Sequence, residues 1–221
     1  MNLEERIWML DKNEASLLRS YFTNMTTWHE EIDVIVAKKW NIVKRNKLLT
    51  HSIIRRMIAY YKYSKEYSKR KERSLGVEAG TYLEDIIFSP LKVLLNEKFD
   101  DRFRVLRGKQ IRLNRKSVKP DLVIEDTKTG NPVCIVEIKT WLDRTNWRKM
   151  KLRYEYCCKK GYLFTCITGS VGGEELKKQV HNVFWLTEEG FFDVENEYDV
   201  TIVHPIENVF EKIISKCRSL I

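Results

Sequence analysis

The chain has 221 residues, 43% of them hydrophobic and 32% charged, enough apolar material for one large domain or a core domain with an extension. Its formal net charge of +9 favours a polyanionic partner, either nucleic acid or an anionic membrane surface. No window approaches ~20 uncharged apolar residues, and the opening MNLEERIWMLDKNEASLL has acids where a secretory leader needs bases. The five cysteines are odd in number and none has CxxC spacing, which argues against a disulfide framework and a structural zinc. Cys134 and Cys166 lie inside apolar runs and read as reduced packing thiols, so a reducing, cytoplasmic setting is expected. The four histidines, His29, His51, His181 and His204, form no ligand pattern, and no P-loop or helicase motif is present.

Residues 1–75 read as a basic helical extension. Ile7, Leu10, Leu17 and Leu18 suit one amphipathic stripe, and HEEIDVIVAKKWNIV and HSIIRRMIAYYKY suggest further helices. Between residues 44 and 73 there are eleven Lys/Arg against only Glu66 and Glu72, an excess that equals the net charge of the whole chain. Tyr60, Tyr61, Tyr63 and Tyr67 are interleaved with that charge. Two readings are open: a phosphate-contacting surface that includes Arg55, Arg56, Lys69 and Arg70, or a solvated face with inward tyrosines.

From residue 76 the pattern changes. GVEAGTYLEDIIFSPLKVLL reads as a helix with a break at Pro90. RFRVLRGKQIRL alternates like one strand, and DLVIE, the turn DTKTGN and PVCIVEIKTW read as an antiparallel hairpin. In RTNWRKMKLRYEYCCKKG, Trp147, Met150, Tyr154 and Cys157 fall at helical spacing, with Gly161 as the stop. YLFTCIT is a buried strand, GGEELKKQV a short helix and VFWLT another strand. DVTIVHP and the amphipathic helix IENVFEKIISKC close the chain. The order predicts an α/β fold with a mixed central sheet flanked by helices, residues 76–221 forming the core with its C-terminal helix.

Side chains alternate along a strand. On the second hairpin strand, Cys134, Val136 and Ile138 share one face, and Val133, Ile135, Glu137 and Lys139 the other. On the first, Leu122 and Ile124 are expected to face the core, with Asp121 and Val123 on the opposite side. A turn centred on Thr127–Gly130 sets Asp121 roughly opposite Glu137. Two carboxylates at 4 Å repel by about 4 kcal/mol at an effective dielectric near 20. A divalent cation relieves that repulsion, and hard oxygen ligands favour Mg²⁺, with Mn²⁺ as a substitute. An adjacent ammonium can hold the attacking water and stabilise charge on a phosphate. Two acids and a lysine around a metal therefore point to phosphodiester hydrolysis.

Pro120–Asp121, fifteen residues, then Glu137-Ile138-Lys139 resembles the motif of the PD-(D/E)XK nuclease superfamily, which includes many restriction endonucleases and junction resolvases. The resemblance covers about residues 76–188. It implies a restriction-endonuclease-like core, with Asp121 and Glu137 holding Mg²⁺ and Lys139 orienting the water. The family's helix acid, often in a G-x-x-x-E pattern, fits Gly80–Glu84, so Glu84 would assist with the metal; Glu78 and Asp85 are the alternatives. The helix after the motif carries Arg144, Arg148, Lys149, Lys151 and Arg153. Arg148 and Lys151 are candidates for backbone contact, and a solvated face is the other reading. Trp141 reads equally as a core or a DNA-facing residue. The implied activity is that of a Mg²⁺-dependent endodeoxyribonuclease on double-stranded DNA, a homodimer of the type II restriction kind. The alternatives are a structure-specific repair, recombination or mobile-element nuclease of the same fold, and a non-catalytic nucleic-acid-binding protein. A cap-snatching-type RNA endonuclease would need an upstream histidine, which neither His29 nor His51 clearly supplies.

Overall fold

A computed structural model describes residues 40–67, 75–113, 116–194 and 200–221. The helices expected before residue 40, together with His29, Lys69 and Arg70, lie outside the described residues. Helix α1 (Trp40–Asn46) and α2 (Leu48–Tyr67) lead to α3 (Leu75–Phe99). Strands β1 (Phe103–Arg107), β2 (Ile111–Leu113), β3 (Lys116–Val118), β4 (Leu122–Asp126) and β5 (Pro132–Leu142) follow. Helix α4 (Arg144–Lys160), β6 (Leu163–Val171), α5 (Glu174–Gln179), β7 (Val183–Trp185) and α6 (Ile206–Arg218) complete the order. Among the described residues no helix is long and apolar enough to cross a membrane.

The protein is α/β, with a five-stranded sheet in the order β1-β4-β5-β6-β7. β1–β4 and β4–β5 are antiparallel, while β5–β6 and β6–β7 are parallel, so the sheet is mixed as expected. Parallel neighbours need crossovers, and α4 and α5 provide them. α4 starts where the Asp143 side chain accepts from the Asn146 N–H, and ends at Gly161, whose φ of 72° admits the left-handed cap.

Both faces of the sheet are buried. Leu122, Ile124, Cys134, Val136, Ile138 and Ile167 pack in one core with α2, α3 and α6. Val123, Ile135, Phe164 and Cys166 pack in a second, with Trp147, Met150 and Cys157 of α4 and Leu176 of α5. Val123 is therefore not turned away from a core, as the one-sided reading of the hairpin had it. The near-unbroken apolar runs of β4 and β5 are those of central strands covered on both sides.

The structure changes the sequence reading in four further places. α3 runs through Pro90 without ending. Pro90 forfeits one backbone hydrogen bond, and Ile86, Ile87, Leu91, Leu94 and Leu95, all fully or almost fully buried, hold the helix across it. The expected strand over RFRVLRGKQIRL is split at Gly108, at φ 61°, into β1 and β2, and β2 pairs only with β3. DVTIVHP forms a single bridge, Thr187 to Ile202, rather than a strand. Finally, Trp40, Val43, Leu49, Ile53, Met57 and Tyr60 join the same core as the sheet, so the boundary drawn at residue 75 separates no independent core. α2 is also tied to α6: the buried Glu207 carboxylate accepts from the Thr50 N–H at 3.0 Å and from its hydroxyl, and that hydroxyl oxygen accepts from the Ile206 N–H at 2.8 Å.

Candidate active site

Leu122 stands opposite Val136 in the β4–β5 ladder, so Asp121, one step before β4, meets Glu137. The turn at 127–129 with Gly130 at φ 69° starts the ladder with Glu125 opposite Pro132, and a bulge between Ile124 and Glu125 then shifts it by one residue, which brings Asp121 opposite Glu137 rather than Val136. Asp121 Oδ2 accepts from the Ile138 N–H at 2.7 Å and from Lys139 Nζ at 2.7 Å. Lys139 Nζ also donates to the Ile138 carbonyl at 2.8 Å and stands 3.8 Å from Glu137 Oε2. Asp121, Glu137 and Lys139 thus meet where β4 and β5 run side by side.

Glu84 approaches from α3. Burial, then the charge of Asp121, pushes its carboxyl up to about 7, against the pull of Arg107 and Lys139. Arg107, the last residue of β1, has Nη2 at 3.7 Å from Glu84 Oε2, pairs with Asp85, and lies over the Phe88 ring at 5.1 Å. Asp85 is therefore engaged by Arg107. Glu78 lies about 9 Å further back along the helix at 1.5 Å per residue.

Glu137 is 1% exposed. Burial, then the charge of Asp121, raises its carboxyl, and Arg153 and Lys139 oppose that rise. Arg153 reaches in from α4 to Glu137 Oε1. In the sequence it is one of several basic residues of that helix, and charge alone does not mark it as inward-facing. Its spacing held a clue, since it lies three residues after the buried Met150. Burial lowers Lys139, but Asp121, by charge and hydrogen bond, and then Glu137 raise it on balance, so it remains an ammonium at neutral pH.

Among the described residues, no three His, Cys, Asp or Glu groups converge as a ready-made metal cage. Asp121 is instead engaged by Lys139, and Glu137 by Arg153. The donor set nevertheless suits a hard divalent cation. Its ligating atoms are carboxylate oxygens, and burial, then the charge of Asp121, raises both Glu84 and Glu137, a penalty on the charged forms that a bound cation would relieve.

Arg148 and Lys151 are exposed on α4, as is Lys149. Arg144 is also exposed but pairs with Glu175. Arg55 and Arg56 are not on the surface: they are 9% and 1% exposed. They lie on a helix whose Ile53, Ile54, Met57 and Ile58 are all buried, so the phosphate contacts expected of them are not available in this conformation. Tyr60 and Tyr61 likewise turn inward, Tyr60 stacking on Tyr82 at 5.1 Å between ring centroids. The cysteines are free, with Cys134 and Cys166 buried as expected.

Comparison with protein-family models and with curated proteins gave no match to this sequence.

Proposed function

We propose that the chain is a metal-dependent endonuclease of restriction-endonuclease-like fold that hydrolyses DNA phosphodiester bonds. The observation that carries this is the meeting of Asp121, Glu137 and Lys139 at adjacent strands, with Glu84 brought in by α3. Asp121, Glu137 and Glu84 would hold Mg²⁺, or Mn²⁺ in its place. Such an ion acidifies its bound water and draws charge from a phosphate. Lys139 is an ammonium, so it donates: it orients the attacking water by hydrogen bond and stabilises charge on the phosphate. The water oxygen bonds to phosphorus and gives up a proton to solvent or to a carboxylate of the cluster, while one ester P–O bond breaks and its oxygen takes a proton and departs as a hydroxyl. Arg153 keeps the Glu137 carboxylate from being an unpaired buried charge, and Arg107 steadies Glu84 and Asp85. Arg148, Lys149 and Lys151 offer the exposed positive charge that a DNA backbone requires.

Sequence-specific cutting of duplex, as in type II restriction enzymes and with a homodimer presenting two centres, is one form of this activity. Structure-specific cutting at a flap or junction is the second, and two exposed rings in contact, Trp141 on β5 and Phe192 in the turn at 191–193, favour it. Digestion of a long plasmid with Mg²⁺ tests the proposal: discrete bands mean sequence specificity, and cutting confined to branched or gapped substrates means the second form. Absence of cutting on every DNA and RNA substrate with Mg²⁺ or Mn²⁺ would remove the enzymatic reading.

A further inference from the structure

We propose that Trp141 and Phe192 form a stacking ledge for an unpaired nucleobase, so that the preferred substrate carries a single-stranded segment beside the bond to be cut. The proposal deepens the nuclease reading and rests on it. Trp141 is 36% exposed and Phe192 48% exposed, while most aromatic rings of the described residues are sheltered. The two rings touch each other, with centroids 5.9 Å apart and planes at 63°. Phe192 is backed in turn by Tyr61 at 6.2 Å and 66°, and Tyr61 is buried with its hydroxyl hydrogen-bonded to Thr140. An edge-to-face pair resting on a buried ring is held in place while it still shows ring surface to water.

Two glycines make room for these rings. A Cβ at Gly172 would lie 3.0 Å from Trp141 Cζ2, and one at Gly190 would lie 2.8 Å from Phe192 Cε1. Neither glycine has the left-handed φ that would otherwise call for one. What the missing side chains provide there is space for the rings.

The position and charge of the ledge select the occupant. Trp141 lies two residues beyond Lys139 on β5, about 7 Å along the strand. The exposed cations Lys149, Lys151 and Arg148 lie on α4, which begins two residues after β5 ends. Asp193, also exposed, follows Phe192 in the chain, so the cations that could meet phosphate are those of β5 and α4. This arrangement suits a polyanion with phosphates towards Lys139 and a flat apolar group against the rings. A nucleic-acid strand has both. Inside a duplex the base faces are already covered by their neighbours, so only an unstacked base can use the ledge.

The test uses labelled oligonucleotides of equal length as a blunt duplex, a duplex with an overhang, the same overhang made abasic, and a single strand. Binding is read by fluorescence anisotropy in EDTA, so that nothing is cut. Wild type should bind the overhang and the single strand more tightly than the blunt duplex. Trp141→Ala should weaken those two by about 5- to 150-fold, the range expected for one lost base–aromatic stack, and leave the blunt duplex nearly unchanged. The abasic overhang should lose a similar factor with wild type and lose nothing more in the variant. Phe192→Ala should shift affinities in the same direction, and Trp141→Phe should keep most of the preference, which separates stacking from misfolding. Equal weakening on all substrates, or no preference for the overhang in wild type, would overturn the ledge. A preference for the overhang over its abasic form that persists while Mg²⁺ and Mn²⁺ support no cleavage would support the ledge and overturn only the nuclease reading.

Discussion

Replacing Arg153 with Gln should have two effects of opposite sign. Glu137 is 1% exposed, Arg153 contacts its Oε1, and Lys139 is 3.8 Å from its Oε2 but also holds Asp121. Breaking a buried ion pair from one side costs about 3–5 kcal/mol. The Arg153 side chain is 24% exposed, so water enters more readily, and about 2–3 kcal/mol is the expected loss in the metal-free protein. Burial, then Asp121, already raises the Glu137 carboxyl, and removing Arg153 raises it further. A folded-state pKa above the unfolded one means that stability is intact below the unfolded value and is lost as pH rises through the folded value. The deficit should therefore be smaller at pH 4, below the ordinary carboxylate value of 4.5, than at pH 8. Removing one positive charge from beside the carboxylates should meanwhile tighten Mn²⁺ binding roughly tenfold, about 1.4 kcal/mol. Urea unfolding at both pH values, with and without Mn²⁺, measures all of this. Equal destabilisation at the two pH values, or weaker Mn²⁺ binding, would refute the role given to Arg153.

Glu84, pushed up to about 7 from the ordinary 4.5, should make the metal-free protein lose stability as pH rises between those values, by at most ~3 kcal/mol and less for its partial exposure. Glu84→Gln should flatten that slope in urea unfolding and cost far more cleavage activity than Glu78→Gln. Arg148→Glu with Lys151→Glu should weaken binding to all DNA sequences alike and reduce the slope of log affinity against log salt by roughly 0.9 per lost phosphate contact. Arg56→Glu, at a position 1% exposed, should instead lower the melting temperature, since it puts an acid where a buried cation stood.

The hairpin was the most legible part of the chain. Alternation along β5 puts Glu137 and Lys139 on one face and the turn sets Asp121 roughly opposite Glu137, but the bulge between Ile124 and Glu125 that makes the pairing direct is not announced by alternation. The start and stop of α4, and the apolar stripe of α6 through Val209, Phe210, Ile213, Ile214 and Cys217, were equally local signals. Pro90 does not end its helix because burial of the flanking residues outweighs one missing hydrogen bond. Arg55 and Arg56 lie deeper than charge counting suggests, because it carries no depth: α2 is buried on all sides from Ser52 to Ile58, so no face there is left to solvent. The Arg107–Asp85 and Arg153–Glu137 pairs were invisible because each joins a strand to a helix through tertiary packing, and only the 3.6-residue period of α4 hinted at the second.

The central claim is that Glu84, Asp121, Glu137 and Lys139 form a metal-dependent centre for phosphodiester hydrolysis. Its most direct test is single-turnover cleavage of an end-labelled oligonucleotide carrying both duplex and single-stranded segments, with Mg²⁺ or EDTA, by wild type and by Asp121→Ala, Glu137→Ala and Lys139→Ala. The account predicts cutting by wild type that needs Mg²⁺ and that each substitution reduces by at least ~100-fold, with binding of the oligonucleotide retained and with Mn²⁺ affinity kept or raised in the Lys139 variant. Full activity in EDTA, or in the Glu137 variant, would contradict it.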